Sequence, residues 1–197
     1  MVAVSLPNTD PIHKVTIIPH GQALGMTQQL PEDDRYHYQR SYLLARLAIA
    51  LGGRAAEKLR FNEYSTGAQN DLKLVMDLAE KMVCQWGMSD NIGPLSFPRG
   101  EEHPFLGLKL ATDKSFSDRT AWRIDQEIEK LVNLAQSRTE HILRENCDIL
   151  EALANRLVEE ETLDQKQLDE FFKKWTVTLP DEVVDAEQGG QDNDIST

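Results

Sequence analysis

Asp71 draws attention because of its position in the segment STGAQNDLKLVMDLAEKMVCQWG. A capping-box pattern formed by Thr66 and Gln69 predicts a helix over residues 67–86, which ends before a glycine. At about 100° per residue, Asp71 falls within the apolar arc of that helix, one turn before Val75. An aspartate there either interacts with the helix macrodipole in the first turn, or serves as a metal ligand or as one partner of a buried ion pair.

Several other residue patterns that support catalysis are missing from the sequence. The histidines are never four positions apart, so no H-E-x-x-H zinc-binding helix is present: His13, His20, His37, His103 and His141. We find neither a G-x-x-x-x-G-K-[ST] phosphate loop nor a G-x-S-x-G nucleophile elbow. Cys84 and Cys147 have no C-x-x-C spacing, which indicates a reducing compartment and buried or half-buried thiols rather than a disulfide.

The composition is that of a globular protein with an acidic surface. The 197 residues are 40% hydrophobic and 27% charged, with a net charge of −12. We expect no nucleic-acid partner, because phosphate contacts need a clustered basic face that the sequence lacks. No apolar run approaches the roughly 20 residues of a membrane span, so we also expect no membrane segment in this chain.

The elements that must position Asp71 are mainly helices. The first residues, MVAVSLP, resemble the last turn of a helix. The β-branched run 15–18 and the extended stretch 24–30 predict a β-hairpin. Apolar residues at helical spacing predict a helix over residues 36–59, in which Gly52 and Gly53 indicate a kink or a close approach of another element.

The C-terminal half is predicted to be entirely helical apart from its tail. Ser117 is the expected N-cap of a long amphipathic helix whose apolar face includes Ile124 and Ile128. A second helix is predicted over residues 148–160, and a short last helix begins near Asp164. The predicted fold class is therefore mainly α, with a small β-hairpin near the N-terminus and a C-terminal helical bundle.

We predict three regions along the chain. Residues 1–112 hold the hairpin and the helix of Asp71, and residues 113–176 form the C-terminal helical part. Residues 177–197 contain no lysine or arginine, which is typical of an acidic disordered tail.

Several segments, taken together and in order, resemble the FtsH-type, AAA+-linked zinc metallopeptidases. They are DPIHKVTIIPHGQALGMTQQLPEDDRY, LGGRAAEKLRF, STGAQNDL, VCQWGMSDNIGPLSF, FLG before the long helix and ETLD near its end. The resemblance covers about residues 1–172.

This resemblance implies a helical metallopeptidase domain that uses zinc. In the family, two histidines of H-E-x-x-H and an aspartate of a TGAxND segment hold the zinc ion, and the motif glutamate is the general base. Asp71 occupies the position of that aspartate and becomes the expected third zinc ligand. Glu57, in GGRAAEKL, is the alternative acidic candidate, although on the flank of its helix it could simply be solvated.

The family places H-E-x-x-H just ahead of the segment that aligns with VAVSLPNTDP. We therefore expect no catalytic residue within this chain and no zinc bound by it alone, so the chain by itself is expected to be an inactive fragment. The resemblance implies unfolded or membrane polypeptides as substrates, assembly into homo- or hetero-hexamers, and a cytoplasmic location within a membrane-anchored protein. The alternative is a non-catalytic module that joins a ring of related proteases.

The segment TIIPHGQALGMTQQ leaves a second alternative open. It either pairs with a substrate peptide as an added strand or forms an ordinary structural hairpin.

Overall fold

The computed structural model describes residues 1–19, 25–30, 37–97 and 116–178. These ranges hold six α-helices, one short 3-10 helix and three β-strands. In chain order they are α1 (Val2–Ser5), β1 (Ile12–Thr16), β2 (Met26–Gln29), α2 (Arg40–Phe61), a 3-10 turn (Thr66–Ala68), α3 (Gln69–Cys84), α4 (Asp118–Glu145), α5 (Cys147–Glu160), β3 (Thr162–Asp164) and α6 (Gln165–Phe172). The predicted mainly α fold is confirmed.

Helix α2 packs against both α3 and α4, and the three helices share one apolar core. The side chains of Leu47 and Ala48 are completely removed from solvent. The apolar positions predicted for the long helix are buried: Ile124, Ile128, Leu131, Ala135, Ile142 and Leu143. Burial of a side chain such as leucine stabilises a fold by about 1.5–3 kcal/mol, so this core is the main source of the domain's stability.

The three strands form one antiparallel sheet with the order β2-β1-β3. The predicted hairpin is present as the β1/β2 pair, in which Val15 lies opposite Thr27. The prediction of an entirely helical C-terminal half is wrong at Thr162–Asp164, because these residues pair with the other edge of β1. A three-residue strand has too little periodicity to be read from sequence and exists because β1 offers it backbone partners.

The two predicted helix starts in the C-terminal half are confirmed. The Ser117 side chain accepts a hydrogen bond from the backbone N–H of Thr120. Asp164 and Gln167 form a reciprocal capping box at the start of α6. These hydrogen bonds satisfy backbone donors that a helix start would otherwise leave without partners.

The segment after α6 folds back onto the body of the molecule. Trp175 lies against the ring of Phe171, and Val177 packs on the apolar cluster of α5, β3 and α6. The buried Asn146 carboxamide donates to the carbonyl oxygen of Thr178 at 3.0 Å and accepts from its backbone N–H at 2.8 Å. The predicted acidic tail lies outside the described residues from 179 onward.

Neither cysteine takes part in a disulfide, as predicted. Cys84 is buried in the core and Cys147 is partly buried at the start of α5. Within the described ranges, no helix combines the length and apolar character that a membrane crossing requires.

The chain start is buried between the apolar core of α2, α3 and α4 and the apolar cluster of α5, β3 and α6. The predicted helical turn is present as α1, with Val2 and Ala3 in the core. The Met1 side chain contacts both apolar clusters. Burial lowers the pKa of the Met1 α-amino group from 8.0 to about 6, because an ammonium group loses hydration there.

This burial makes the stability of the 197-residue chain depend on pH. The folded state binds fewer protons than the unfolded state between pH 6 and 8, so the free energy of unfolding rises as the pH rises through this window. A lowering of about two pKa units corresponds to roughly 2–3 kcal/mol, which is lost below pH 6. Urea unfolding at pH 6, 7 and 8 measures it. An N-terminally acetylated chain, which has no α-amino group to titrate, is the control. The prediction would be contradicted if the free energy of unfolding rose equally with pH in both chains.

Candidate functional site

A cleft with a volume of about 720 Å³ lies beside α1 in the described structure. Its walls come from the face of α2 that contains Ile49, Gly53 and Ala56, from strand β2, and from the first turns of α3. Apolar side chains of α5 and α6 also line it. The cleft thus has both polar and apolar lining residues.

The two adjacent glycines of α2 border this cleft and have different surroundings. A Cβ atom at Gly52 would lie 3.4 Å from a methyl carbon of Val2, so the predicted close approach of another element is confirmed there. A Cβ atom at Gly53 would have no heavy-atom neighbour within 4 Å. The helix continues through both residues. Gly53 therefore keeps part of the cleft open that a larger side chain would fill.

Asp71 lies in the first turn of α3 and lines the cleft. Partial burial raises the pKa of its carboxyl group, because the cleft removes part of the water that would solvate the charge. We find no hydrogen bond or ion pair of this carboxylate with the described residues. A partly desolvated carboxylate that faces open space is chemically suited to bind a cation.

The predicted apolar arc of α3 is narrower than expected. Val75, Ala79, Met82 and Val83 are buried, whereas the arc members Leu72, Leu74, Met76 and Trp86 remain more than 40% exposed. Asp71 is itself exposed, and the cleft that it lines is also lined by Gly53 and Ala56 of α2, one of the helices on which α3 packs. Its place on the predicted apolar arc therefore does not make Asp71 part of the buried face of α3.

The start of α3 is held by Glu57 on α2. The Glu57 carboxylate accepts hydrogen bonds from the Ser65 hydroxyl at 2.6 Å and from the Ser65 backbone N–H at 3.1 Å. The Ser65 hydroxyl oxygen in turn accepts from the Gly67 N–H at 3.1 Å. We call these contacts the Glu57–Ser65 clamp. They lower the pKa of Glu57, first through the hydroxyl and then through the backbone N–H of Ser65.

The clamp corrects the predicted helix start. Thr66 and Gln69 do not form the capping box, because Ser65 caps a 3-10 turn at Thr66–Ala68 that precedes α3. A serine adjacent to a threonine gives two equally good caps in the sequence. The choice between them depends on Glu57, which is eight residues away and not part of any local pattern.

The remaining candidate ligands are dispersed. His13 lies on β1, His37 precedes α2 and His141 lies on α4, whereas His20 and His103 fall outside the described residues. Within the described ranges, no group of three or more histidine, cysteine, aspartate or glutamate side chains has the spacing of a metal site. Of the two acidic candidates from the sequence, Asp71 faces the cleft and Glu57 holds the neighbouring turn.

Comparison with known protein families gives a match over most of the chain. The profile of peptidase family M41 aligns with residues 1–171. The chain belongs to this family. The aligned region of the M41 chain includes α1, the sheet, α2, α3, α4 and α5, and almost all of α6.

Individual relatives agree with the family match. The M41 chain is 60% identical over 176 residues to a protein of Syntrophotalea carbinolica, which covers 89% of this chain and 27% of the relative. It is 62% identical over 172 residues to a protein of Pelobacter propionicus, and the alignment covers 87% of this chain and 28% of the relative. A protein of Nitrosococcus oceani is 48% identical over 173 residues, and the alignment covers 88% of this chain and 27% of the relative.

Each of these relatives is named ATP-dependent zinc metalloprotease FtsH. The M41 chain spans a little over a quarter of their length.

Sequence reasoning missed two residues at this site. Ser65 was not predicted as the cap of the turn before α3, although serine is a preferred capping residue. Arg46 lines the cleft from α2 but was not singled out, because a single arginine on an amphipathic helix resembles any solvated surface residue. The signal that identifies it is its position on the same face as Gly53, seven residues further on.

Replacement of Glu57 by glutamine tests the clamp. The neutral amide is a weaker acceptor than the carboxylate, so we expect faster amide hydrogen exchange at residues 65–72 and little change in α4. Because the pKa of Glu57 is lowered, the protection of these amides, relative to the intrinsic exchange rate at the same pH, should persist in the parent chain below the ordinary pKa of 4.5. Hydrogen exchange followed by mass spectrometry measures both effects. Glu63→Gln is the matched control, and equal exchange in the two variants would disprove the clamp's role.

Proposed function

We propose that this chain forms the peptidase body of an FtsH-type, ATP-dependent zinc metalloendopeptidase and supplies Asp71 as one of its zinc ligands. The observation that carries the proposal is the exposed Asp71 carboxylate at the cleft, in a chain that belongs to peptidase family M41. The names of the relatives support the zinc dependence and the proteolytic activity.

The donor set fits one part of a catalytic zinc site. Zinc binds carboxylate oxygen, and catalytic sites use three protein ligands with one open position. We assign the other two ligands and the general base to the H-E-x-x-H helix that the family places ahead of the segment corresponding to α1. When bound, a zinc ion acts as a Lewis acid toward the substrate carbonyl group.

The roles of the residues in this chain follow from their positions. Asp71 provides one oxygen ligand at the cleft, and the Glu57–Ser65 clamp fixes the turn from which Asp71 extends. Glu57 acts by positioning; its carboxylate is occupied by Ser65, which makes it the weaker candidate for a zinc ligand. Strand β2 is an edge of the described sheet and can orient an extended polypeptide through its backbone.

The proposal includes the setting in which the whole protein works. We assign unfolded or membrane polypeptides as substrates, a homo- or hetero-hexameric ring as the assembly, and the cytoplasmic or equivalent side of a membrane as the location. These assignments follow from the resemblance to FtsH-type proteases and from the names of the relatives.

Zinc content tests the assignment of Asp71. A single carboxylate is a weak zinc site, so the 197-residue chain should hold far less than one zinc ion per molecule by elemental analysis. A chimera in which residues 1–171 replace the matching segment of the Syntrophotalea carbinolica relative should hold one zinc ion and cleave an unfolded protein such as casein. A chelator should stop this cleavage.

The decisive variant in the chimera is Asp71→Asn. We expect zinc affinity and cleavage to fall at least about 100-fold, because loss of a direct ligand exceeds the effect of an outer-shell change. Asp77→Asn, on the solvent-facing side of the same helix, is the matched control. Stoichiometric zinc in the 197-residue chain would instead indicate another site that combines Asp71 with Glu57, His13 or His20.

The second candidate function is a non-catalytic module that joins a ring of related proteases. The observation in its favour is an exposed apolar pair one turn apart on α3, Leu72 at 43% and Met76 at 45% exposure. Exposed apolar surface of this kind is typical of an interaction site when it is contiguous.

Light scattering and co-purification with a full-length relative test this second function. Ring assembly predicts a mass several times that of the monomer, or capture by the relative. A Leu72→Ser, Met76→Ser variant should lose this association, whereas Lys73→Ser should retain it. A strictly monomeric chain that does not bind the relative would rule out the interaction module.

A further inference from the structure

We propose that Arg54 and Tyr64 are positioning residues for Asp71: the Arg54 guanidinium group, stacked on the Tyr64 ring, holds the first turn of α3 in the orientation that presents the Asp71 carboxylate as a metal ligand. The proposal rests on the proposed function, because it takes Asp71 to be a zinc ligand. The contacts involved join α2, the connection to α3, and α4.

The first turn of α3 has no buried side chain of its own. The side chains of residues 69–74 are all exposed, and the nearest buried ones are Ala68 before this stretch and Val75 after it. The first backbone N–H groups of a helix also lack partners within the helix, so an unpacked first turn frays easily. The orientation of Asp71 therefore depends on the contacts that hold the chain immediately before α3.

The Glu57–Ser65 clamp supplies the first of these contacts and fixes the chain at Ser65. Both hydrogen bonds from the Glu57 carboxylate end on this one residue, at its hydroxyl group and its backbone N–H. Contacts at one residue restrict rotation of the turn far less than contacts at two residues do. Tyr64, which directly precedes Ser65, provides the second point of attachment.

Arg54 holds the Tyr64 ring against the last turns of α2. Its guanidinium carbon lies 3.9 Å from the ring centroid, and the Lys58 ammonium nitrogen lies 5.3 Å from the same centroid. A cation at such a distance is attracted by the negative face of the ring. Arg54, Glu57 and Lys58 are three or four positions apart, so they share one face of α2. That face therefore holds Tyr64 and Ser65 together.

Arg54 also connects the stacked ring to the core helix α4. Its Nη1 atom donates to the Gln136 carboxamide oxygen at 3.4 Å, and the Gln136 amide nitrogen donates to the Glu140 carboxylate at 2.5 Å. A guanidinium group makes both contacts at once, because its flat face stacks on a ring while its N–H groups donate in its own plane. A lysine ammonium group is a compact point charge without such a plane. The shape of the group at position 54 therefore matters as well as its charge.

Hydrogen exchange of the 197-residue chain, followed by mass spectrometry, measures how firmly the turn is held without any need for zinc. Tyr64→Leu and Arg54→Lys should each speed the exchange of the backbone amides at residues 65–72 about two- to fivefold, the factor expected for loss of an exposed cation–π contact. Tyr64→Phe keeps the ring and should exchange like the parent chain. Phe61→Leu makes the same change at a ring that is 73% exposed and is the matched control.

Zinc titration of the chimera tests whether this hold affects the metal site, with bound zinc and casein cleavage both measured. Arg54→Lys and Tyr64→Leu should raise the free zinc concentration for half-maximal binding about tenfold, the lower end of the range for groups that hold a metal ligand in place. Cleavage at saturating zinc should stay within about twofold of the parent, because zinc selects the competent orientation. A general loss of stability would lower this plateau instead. Arg119→Lys, at an exposed position at the start of α4, is the control for the arginine change.

Equal exchange at residues 65–72 in the Tyr64→Leu and Phe61→Leu variants, or equal zinc midpoints in the Arg54→Lys and Arg119→Lys variants, would overturn the proposal.

The two proposals fail in distinguishable ways. If Asp71→Asn weakens zinc binding by the chimera whereas Arg54→Lys and Tyr64→Leu do not, Asp71 remains a zinc ligand and the positioning role is removed. If Arg54→Lys and Tyr64→Leu speed exchange in the turn but Asp71→Asn leaves zinc binding unchanged, the stacked pair remains a structural contact. The assignment of Asp71 to zinc is then removed, and the positioning role with it.

Discussion

The packing of α2 against its neighbours is the constraint on which the rest of the structure depends. One face of this helix, with Leu47, Ala48 and Ala55, is removed from solvent by α3 and α4. Small residues let the other elements approach closely, as Val2 does at Gly52. The face that remains outside this core, with Arg46, Gly53 and Ala56, becomes a wall of the cleft. One helix thus determines both the core and the site.

Much of the fold could be predicted from local sequence. The helix caps Ser117 and Asp164 were predicted because a capping residue and its backbone partner lie within three positions of each other. The buried face of α4 followed from its helical periodicity. Strand β3 could not be predicted, because its only reason to be extended is the unpaired edge of β1, about 150 residues earlier in the chain.

Less of the candidate site than of the fold could be predicted from local sequence. The geometry of α3 alone placed Asp71 on an apolar face, and only the resemblance to a protease family made it a metal ligand candidate. The structure shows an exposed carboxylate at a cleft, since tertiary packing covers only Val75, Ala79 and the residues in line with them. The clamp between Glu57 and Ser65 and the position of Arg46 depend on how two helices are arranged, which periodicity within one helix does not specify.

The pairing of Asn146 with Thr178 has a consequence for how the chain tolerates changes in length. The side-chain amide of Asn146 takes the place of a neighbouring strand, since it offers one donor and one acceptor to the backbone of a single residue. An insertion or deletion between Phe172 and Thr178 would bring a different residue to this amide or remove both hydrogen bonds to Thr178, so that the buried amide keeps its donation to the Ile142 carbonyl oxygen but loses this acceptor role. The connection after α6 is therefore specified in length as well as in composition, although it belongs to no helix or strand.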